Sequence, residues 1–206
     1  MSAKAMVILM HEIYGVNDHM HHMQKQLIAD GYDTLCLDLY DGKQFELHEG
    51  HRAYSYFKQE VGFTKASDHL IHKMKELRGQ YPFLFVIGFS VGATSAWLSC
   101  TASELCDGVV CYYGSRIRDY TDQTPKCPTL LIFAEHEVHF DVGALMGVLS
   151  HHPQTVLKRF YGAHGFSNPY AKAYNEEAAK QAYTQSLWFL EQVKNKKENK
   201  LLRECN

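Results

Sequence analysis

The pentapeptide Gly88-Phe89-Ser90-Val91-Gly92 constrains the fold of this chain more than any other stretch. It follows an apolar run at 81–87 and precedes small and apolar residues at 93–98 that can open a helix. A strand that turns sharply into a helix needs glycines on both sides of the turn residue, because side chains there collide and the turn residue itself is strained. Ser90 then projects its hydroxyl above a sheet. The order strand, turn, helix predicts a G-x-S-x-G nucleophile elbow with Ser90 at its tip.

The surrounding chain repeats the alternation that such an elbow needs. Continuous apolar runs at 6–10, 34–40, 81–87, 107–114, 129–134 and 155–160 read as strands buried on both faces. Between them lie helical stretches: residues 18 to about 29 with Asp18 as cap, segments 53–57 and 66–77 parted near Gly62, and 141–149. Residues 170–193 read as a long amphipathic helix with a frayed lysine-rich tail at 194–200, and the polar stretch 41–50 as one side or partial lid of a site. Short joints between alternating strands and helices predict an α/β fold with a mostly parallel central sheet covered on both faces.

Composition adds limits. The 206 residues suit one domain spanning 1–206, given the usual size of about 100–200 residues per domain. With 46% hydrophobic residues, 21% charged residues and a formal charge of -2, nothing points to nucleic acid or an anionic membrane as partner. The apolar run at 6–10 is too short for a signal segment or membrane span, so the expected location is cytoplasmic. Cys36, Cys100, Cys106, Cys111, Cys127 and Cys205 form no C-x-x-C pair and read as reduced. His19 and His22 share a helix face at i, i+3, but no Cys or carboxylate motif completes a metal site, so that face reads as solvated.

Ligands of parallel sheets bind beyond the carboxyl ends of the strands. That rule gathers His11-Glu12-Ile13, Ser90, Tyr112-Tyr113, 135–139 and His164 on one rim. A serine hydroxyl needs a base in hydrogen-bond reach, and the base needs a carboxylate to orient it. In the elbow fold these come in the order Ser, acid, His. His164, between small neighbours after the last strand, is the candidate base, and Glu137 is the candidate acid with Glu135 and Asp141 in competition. Val91 and Ile13 are the candidate oxyanion donors through their backbone N–H groups. Tyr112 and Tyr113 are candidates to line an acyl pocket, or else strand-end packing residues.

Taken together, His11-Glu12-Ile13-Tyr14-Gly15-Val16-Asn17, Asp38-Leu39-Tyr40, the elbow, Tyr112-Tyr113-Gly114 and His164-Gly165-Phe166 resemble the dienelactone hydrolase family of α/β-hydrolases from about residue 6 to 190. The resemblance implies hydrolysis of lactones and other esters without a cofactor, with Ser90, Glu137 and His164 as triad and Glu12 near the nucleophile. It also implies departures. Family enzymes that open dienelactone carry a cysteine at the elbow, an aspartate as acid and an arginine four residues beyond the histidine, where this chain has Ser90, Glu137 and Asn168. The antiparallel strands that usually precede the His-Glu strand are missing, so the sheet is expected to be reduced at the N-terminus.

The sequence therefore predicts a serine hydrolase acting on small-molecule esters, thioesters or lactones. Glu12 is expected beside Ser90 in a structural or substrate-positioning role. Acyl transfer to an acceptor other than water and a catalytically silent scaffold that binds a small molecule or partner are the rival readings.

Overall fold

Strand β1 (Ala5–Met10) has every residue buried, which is what a continuous apolar run does when both faces of a sheet are covered. In the computed structural model, which describes residues 4–204, it pairs in parallel with β2 (Asp33–Leu37) on one side and β3 (Phe83–Phe89) on the other. Strands β4 (Gly108–Tyr112), β5 (Thr129–His136) and β6 (Thr155–Ala163) extend the sheet in the order β2-β1-β3-β4-β5-β6, every pairing parallel.

Alternate residues of each strand feed two different cores. Val7 and Leu9 of β1 join a cluster built with Met20, Met23 and Leu27 of α1 (Asp18–Ala29) and with Ala182, Phe189 and Leu190 of α6 (Glu176–Glu204). Met6, Ile8 and Met10 face the other way, into a second cluster that runs along the sheet and includes Leu70 and Met74 of α3 (Gly62–Arg78), Trp97 and Cys100 of α4 (Val91–Ala102) and Leu145 and Leu149 of α5 (Val142–Leu149). A third cluster, with Tyr40, Phe45, Phe57 and Val91, sits over the elbow. It draws on α2 (Gly50–Tyr56) and the π-helical turn Phe57–Val61, so the polar region after β2 walls one side of the rim.

Several elements differ from the sequence expectation, each for a local reason. Asn17 rather than Asp18 caps α1, its side chain accepting from Met20 N, and Asp18 becomes the first-turn acid. β2 stops at Leu37 because Asp38 turns back to accept from the N–H groups of Tyr40 and Gly42. The last helix starts at Glu176, not 170: Asn168 ties Tyr170 N into a turn, and Asn175 accepts from Ala178 N. Its lysine-rich end stays helical rather than frayed, with Lys197 reaching the Pro82 carbonyl at 3.0 Å and pairing with Asp107. His19 is not on a solvated face. It is fully buried, edge-on to Phe89 with ring centroids 4.8 Å apart.

Cys36, Cys100, Cys106, Cys111 and Cys127 are free thiols. Cys205 lies outside the described residues, as do residues 1–3. No helix among the described residues is long and apolar enough to cross a membrane.

Candidate active site

Ser90 connects β3 to α4 at φ 54°, a backbone setting that strains any residue with a side chain. Its N–H donates to the Tyr112 carbonyl at the end of β4, 2.9 Å away, which pins the turn to the sheet. The two flanking glycines are required by contact. A Cβ on Gly88 would stand 2.6 Å from the Gly92 carbonyl carbon, and one on Gly92 would stand 2.6 Å from the His11 carbonyl oxygen. Absence of both side chains lets α4 start hard against the end of β1.

The Ser90 hydroxyl is 2.8 Å from Nε2 of His164. The other ring nitrogen, Nδ1, lies 2.8 Å and 3.2 Å from the two carboxylate oxygens of Glu137. A carboxylate accepts only, so Nδ1 carries the proton and Nε2 is left to accept from the serine. The Glu137 side chain is 4% exposed and that of His164 38%, so the carboxylate is sheltered while the imidazole is more open to solvent. Neither competing carboxylate is placed this way: Glu135 is exposed, and Asp141 caps α5 by accepting from Ala144 N at 3.0 Å.

Val91 opens α4, so its N–H belongs to the first turn, which has no intrahelical acceptor. Ile13 follows β1, and both residues line one cavity with Ser90 and His164. The loop bearing Ile13 is fastened by His11, whose Nε2 accepts from Leu39 N at 3.1 Å, leaving Nδ1 to donate to the Glu12 carbonyl at 2.5 Å. Burial pushes the His11 imidazole below its ordinary pKa, consistent with this neutral tautomer.

Glu12 is buried beneath this loop. Tyr113 Oη donates to its Oε1 at 3.0 Å, Asn168 Nδ2 to Oε2 at 3.3 Å, and His19 Nδ1 stands 3.7 Å from Oε2. Burial alone would raise the carboxyl, but His19 and the Tyr113 hydroxyl beside it hold it below its usual value. Tyr113 is raised well above its ordinary value by burial and by the Glu12 charge, so it remains a donor.

The two tyrosines do not line the cavity that holds Ser90 and Val91, contrary to the acyl-pocket expectation. Both are buried: Tyr112 points into the sheet-and-helix core and bonds Ser186 at 2.7 Å, while Tyr113 spends its hydroxyl on Glu12 and Ser167 and its ring on His164, 5.0 Å centroid to centroid. Two lobes meet at the Ser90–His164 pair instead. One, of about 700 Å³, is walled by Tyr54, Thr94, Arg116, Arg118, Val138 and His139 among others; the second, of about 570 Å³, by Glu12, Tyr14, His48, Asn168 and Lys172 among others. His139 falls in the 135–139 stretch that the sequence places on the rim, whereas none of the 54, 94, 116 or 118 positions is singled out by sequence, because each lies outside the rim strands and their recognisable motifs.

A parallel six-stranded sheet with helices on both faces and a strained serine between β3 and α4 defines an α/β-hydrolase fold. The model of the dienelactone hydrolase family matches residues 1–194, and the chain belongs to that family. It is 40% identical over 178 residues to the uncharacterized protein YczH of Bacillus subtilis, covering 85% of this chain and 87% of the relative. A putative carboxymethylenebutenolidase of Saccharolobus solfataricus is 24% identical, with 92% and 90% of the two chains covered. The crystal structure of a putative dienelactone hydrolase from Klebsiella pneumoniae superposes with a TM-score of 0.75 at 18% identity, over 93% of this chain and 89% of the other. The dienelactone hydrolase-like promiscuous phosphotriesterase P91 from metagenomic libraries gives 0.76 at 15% identity, over 94% and 88%. At those identities the structures testify to the fold.

Proposed function

We propose that this chain is a serine hydrolase that cleaves carboxylic esters, thioesters or lactones through an acyl-enzyme on Ser90. The observation that carries the reading is the continuous hydrogen-bonded line from Ser90 Oγ through His164 to Glu137, 2.8 Å at each step. His164 Nε2 takes the serine proton as Oγ attacks the carbonyl carbon, and Glu137 stabilises the imidazolium that forms. The N–H groups of Val91 and Ile13 receive the oxyanion. The alcohol or thiol leaves with the proton from His164. Water, deprotonated by the same nitrogen, then releases the acid and restores the serine.

Family membership supports the reaction class, and the serine in place of a thiol supports simple acyl-enzyme chemistry. The test is a fluorophosphonate probe followed by peptide mapping. Labelling on Ser90 of the wild type, absent in Ser90→Ala, is the expected result. A folded wild type that resists the probe and turns over no p-nitrophenyl ester, thioester or lactone would leave a silent scaffold as the reading.

A further inference from the structure

We propose that Cys106 and Cys127 are a reversible modification site, which hydrogen peroxide oxidises to an internal disulfide that ties together the two ends of the segment bearing part of the Ser90 cavity wall. The inference is independent of the hydrolase reading.

Cys106 stands in the joint leading into β4 and Cys127 in the joint leading into β5, and their sulfur atoms are 3.5 Å apart. An S–S bond is about 2.0 Å long, so the two atoms need approach by only about 1.5 Å to form one. Each cysteine is held from both sides. Beside Cys106, Arg78 donates to the Leu105 carbonyl at 3.2 Å and to the Asp107 carboxylate at 2.7 Å, while Asp107 N donates to the Leu84 carbonyl at 2.7 Å. Beside Cys127, Lys126 N donates to the Cys100 carbonyl at 2.9 Å and Val109 N to the Pro128 carbonyl at 3.0 Å, and the Cys127 carbonyl accepts from Thr129 Oγ1 at 3.0 Å. The pair is preassembled, so once one sulfur is oxidised the second attacks as a neighbour.

Hydrogen peroxide supplies the balance. One thiolate sulfur attacks a peroxide oxygen, the O–O bond breaks, and a sulfenic acid forms while the departing hydroxide takes up the proton that the thiol gave up. The other sulfur then attacks the sulfenic sulfur, the S–S bond forms, and the S–OH oxygen leaves as water with the second thiol's proton. Two thiols and one peroxide give one disulfide and two waters, the sulfurs losing the two electrons that reduce the peroxide. Cys127 and burial push the Cys106 thiol well above its ordinary pKa, and Cys100 and burial do the same to Cys127, so the reaction is slow. Access comes through the joints: residues 103–106 and 123–125 belong to no helix or strand, Glu104 and Lys126 are exposed, and each of the two cysteines is 4% exposed.

The bond closes a loop of roughly twenty residues, 107–126, that contains β4, Tyr113 and the 3₁₀ turn Ser115–Asp119. That turn supplies Ser115, Arg116 and Arg118 to the wall of the cavity holding Ser90. The cysteines join the loop at the far end of β4 from Tyr112, whose carbonyl receives Ser90 N, so the cross-link leaves the serine turn in place.

The experiment treats the native protein with millimolar hydrogen peroxide, alkylates the remaining thiols in denaturant and maps linked peptides by mass spectrometry. The expected product is about 2 Da lighter, joins Cys106 to Cys127 and is reverted by dithiothreitol. Cys100→Ala should form the same link, while Cys106→Ala and Cys127→Ala should not. Urea denaturation of the one peroxide-treated sample, before and after dithiothreitol, should show a folding equilibrium constant about thirty- to a thousandfold higher with the link in place, the effect of closing a loop of this length. Amide exchange of residues 107–126 should slow in the linked form. A Cys100–Cys127 link, sulfinic or sulfonic acid at either cysteine in place of the bond, or a folded wild type whose two thiols survive the treatment overturns the proposal. A link that leaves the folding constant unchanged overturns it equally.

Discussion

Asn168 Nδ2 donates to Glu12 Oε2 across 3.3 Å, with both side chains buried, so the residue four places beyond His164 serves an internal carboxylate. Glu12 thereby becomes the centre of a buried polar cluster, with Tyr113 on one oxygen and Asn168 and His19 near the other.

That cluster has a pH signature. The Glu12 carboxyl is held below its ordinary value in the folded protein, while in the unfolded chain it titrates near about 4.3. A depressed carboxyl contributes stability that is fully present above the unfolded pKa and is lost as pH falls through the folded one. Urea denaturation of wild type and Glu12→Gln at pH 7, 5, 4 and 3.5 should therefore show the variant less stable at pH 7, with the gap narrowing below about pH 4. A gap that widens on acidification would contradict the assignment.

Tyr113→Phe tests the correction to the tyrosines. The hydroxyl bonds Glu12 and Ser167 inside the protein, so its loss leaves a buried carboxylate oxygen short of a donor, at about 1–3 kcal/mol. The expected outcome is a lowered urea midpoint with KM nearly constant. A raised KM at unchanged stability would return Tyr113 to the substrate pocket.

What could be read from the sequence divides along physical lines. Strands buried on both faces announce themselves as continuous apolar runs, and a tight strand-to-helix turn needs glycines at fixed offsets, so the sheet and the strained turn at Ser90 were legible. Tyr112 and Tyr113 were not, because a strand with every residue buried gives no alternation to tell which side chain faces a site. His19 misled for the opposite reason: a polar residue on a helix suggests water, yet its ring is buried edge-on to Phe89, with Nδ1 3.7 Å from Glu12 Oε2. The sequence reading starts α6 six residues early, at 170; the structure caps it at Asn175 and puts Glu176 and Glu177 in its first turn. Arg116 and Arg118 carry no sequence signature, since only the turn after β4 brings them into the cavity wall.

The proposed role of Glu137 as the acid has a direct test. Glu137→Gln keeps the shape but cannot hold His164 in the same protonation pattern, and a loss of about 10³–10⁴ in kcat is expected from disabling that role. Glu135→Gln, at an exposed position at the end of β5, should leave kcat within about twofold. A large loss in the second and a small one in the first would move the acid to Glu135.

The elbow's glycines make a prediction that joins stability to catalysis. A Cβ on Gly92 meets the carbonyl groups of Met10 and His11, which are backbone and cannot swing aside, so Gly92→Ala must push α4 away from the end of β1. Overpacking of this kind costs about 1–3 kcal/mol. The same movement separates Val91, at the start of α4, from Ile13, two residues past His11, and these are the two proposed oxyanion donors. Removing one such donor elsewhere costs about 10²–10³ in kcat, and partial misalignment should cost a substantial share of that. Gly147 supplies the control: it lies in α5 with no heavy atom within 4 Å of an added Cβ, so Gly147→Ala should gain about 0.5–1 kcal/mol from helix propensity and keep full kcat. Urea midpoints and kcat for p-nitrophenyl acetate on the two variants separate the cases. A Gly92→Ala protein with wild-type kcat would mean that the contact between α4 and β1 does not set the oxyanion geometry.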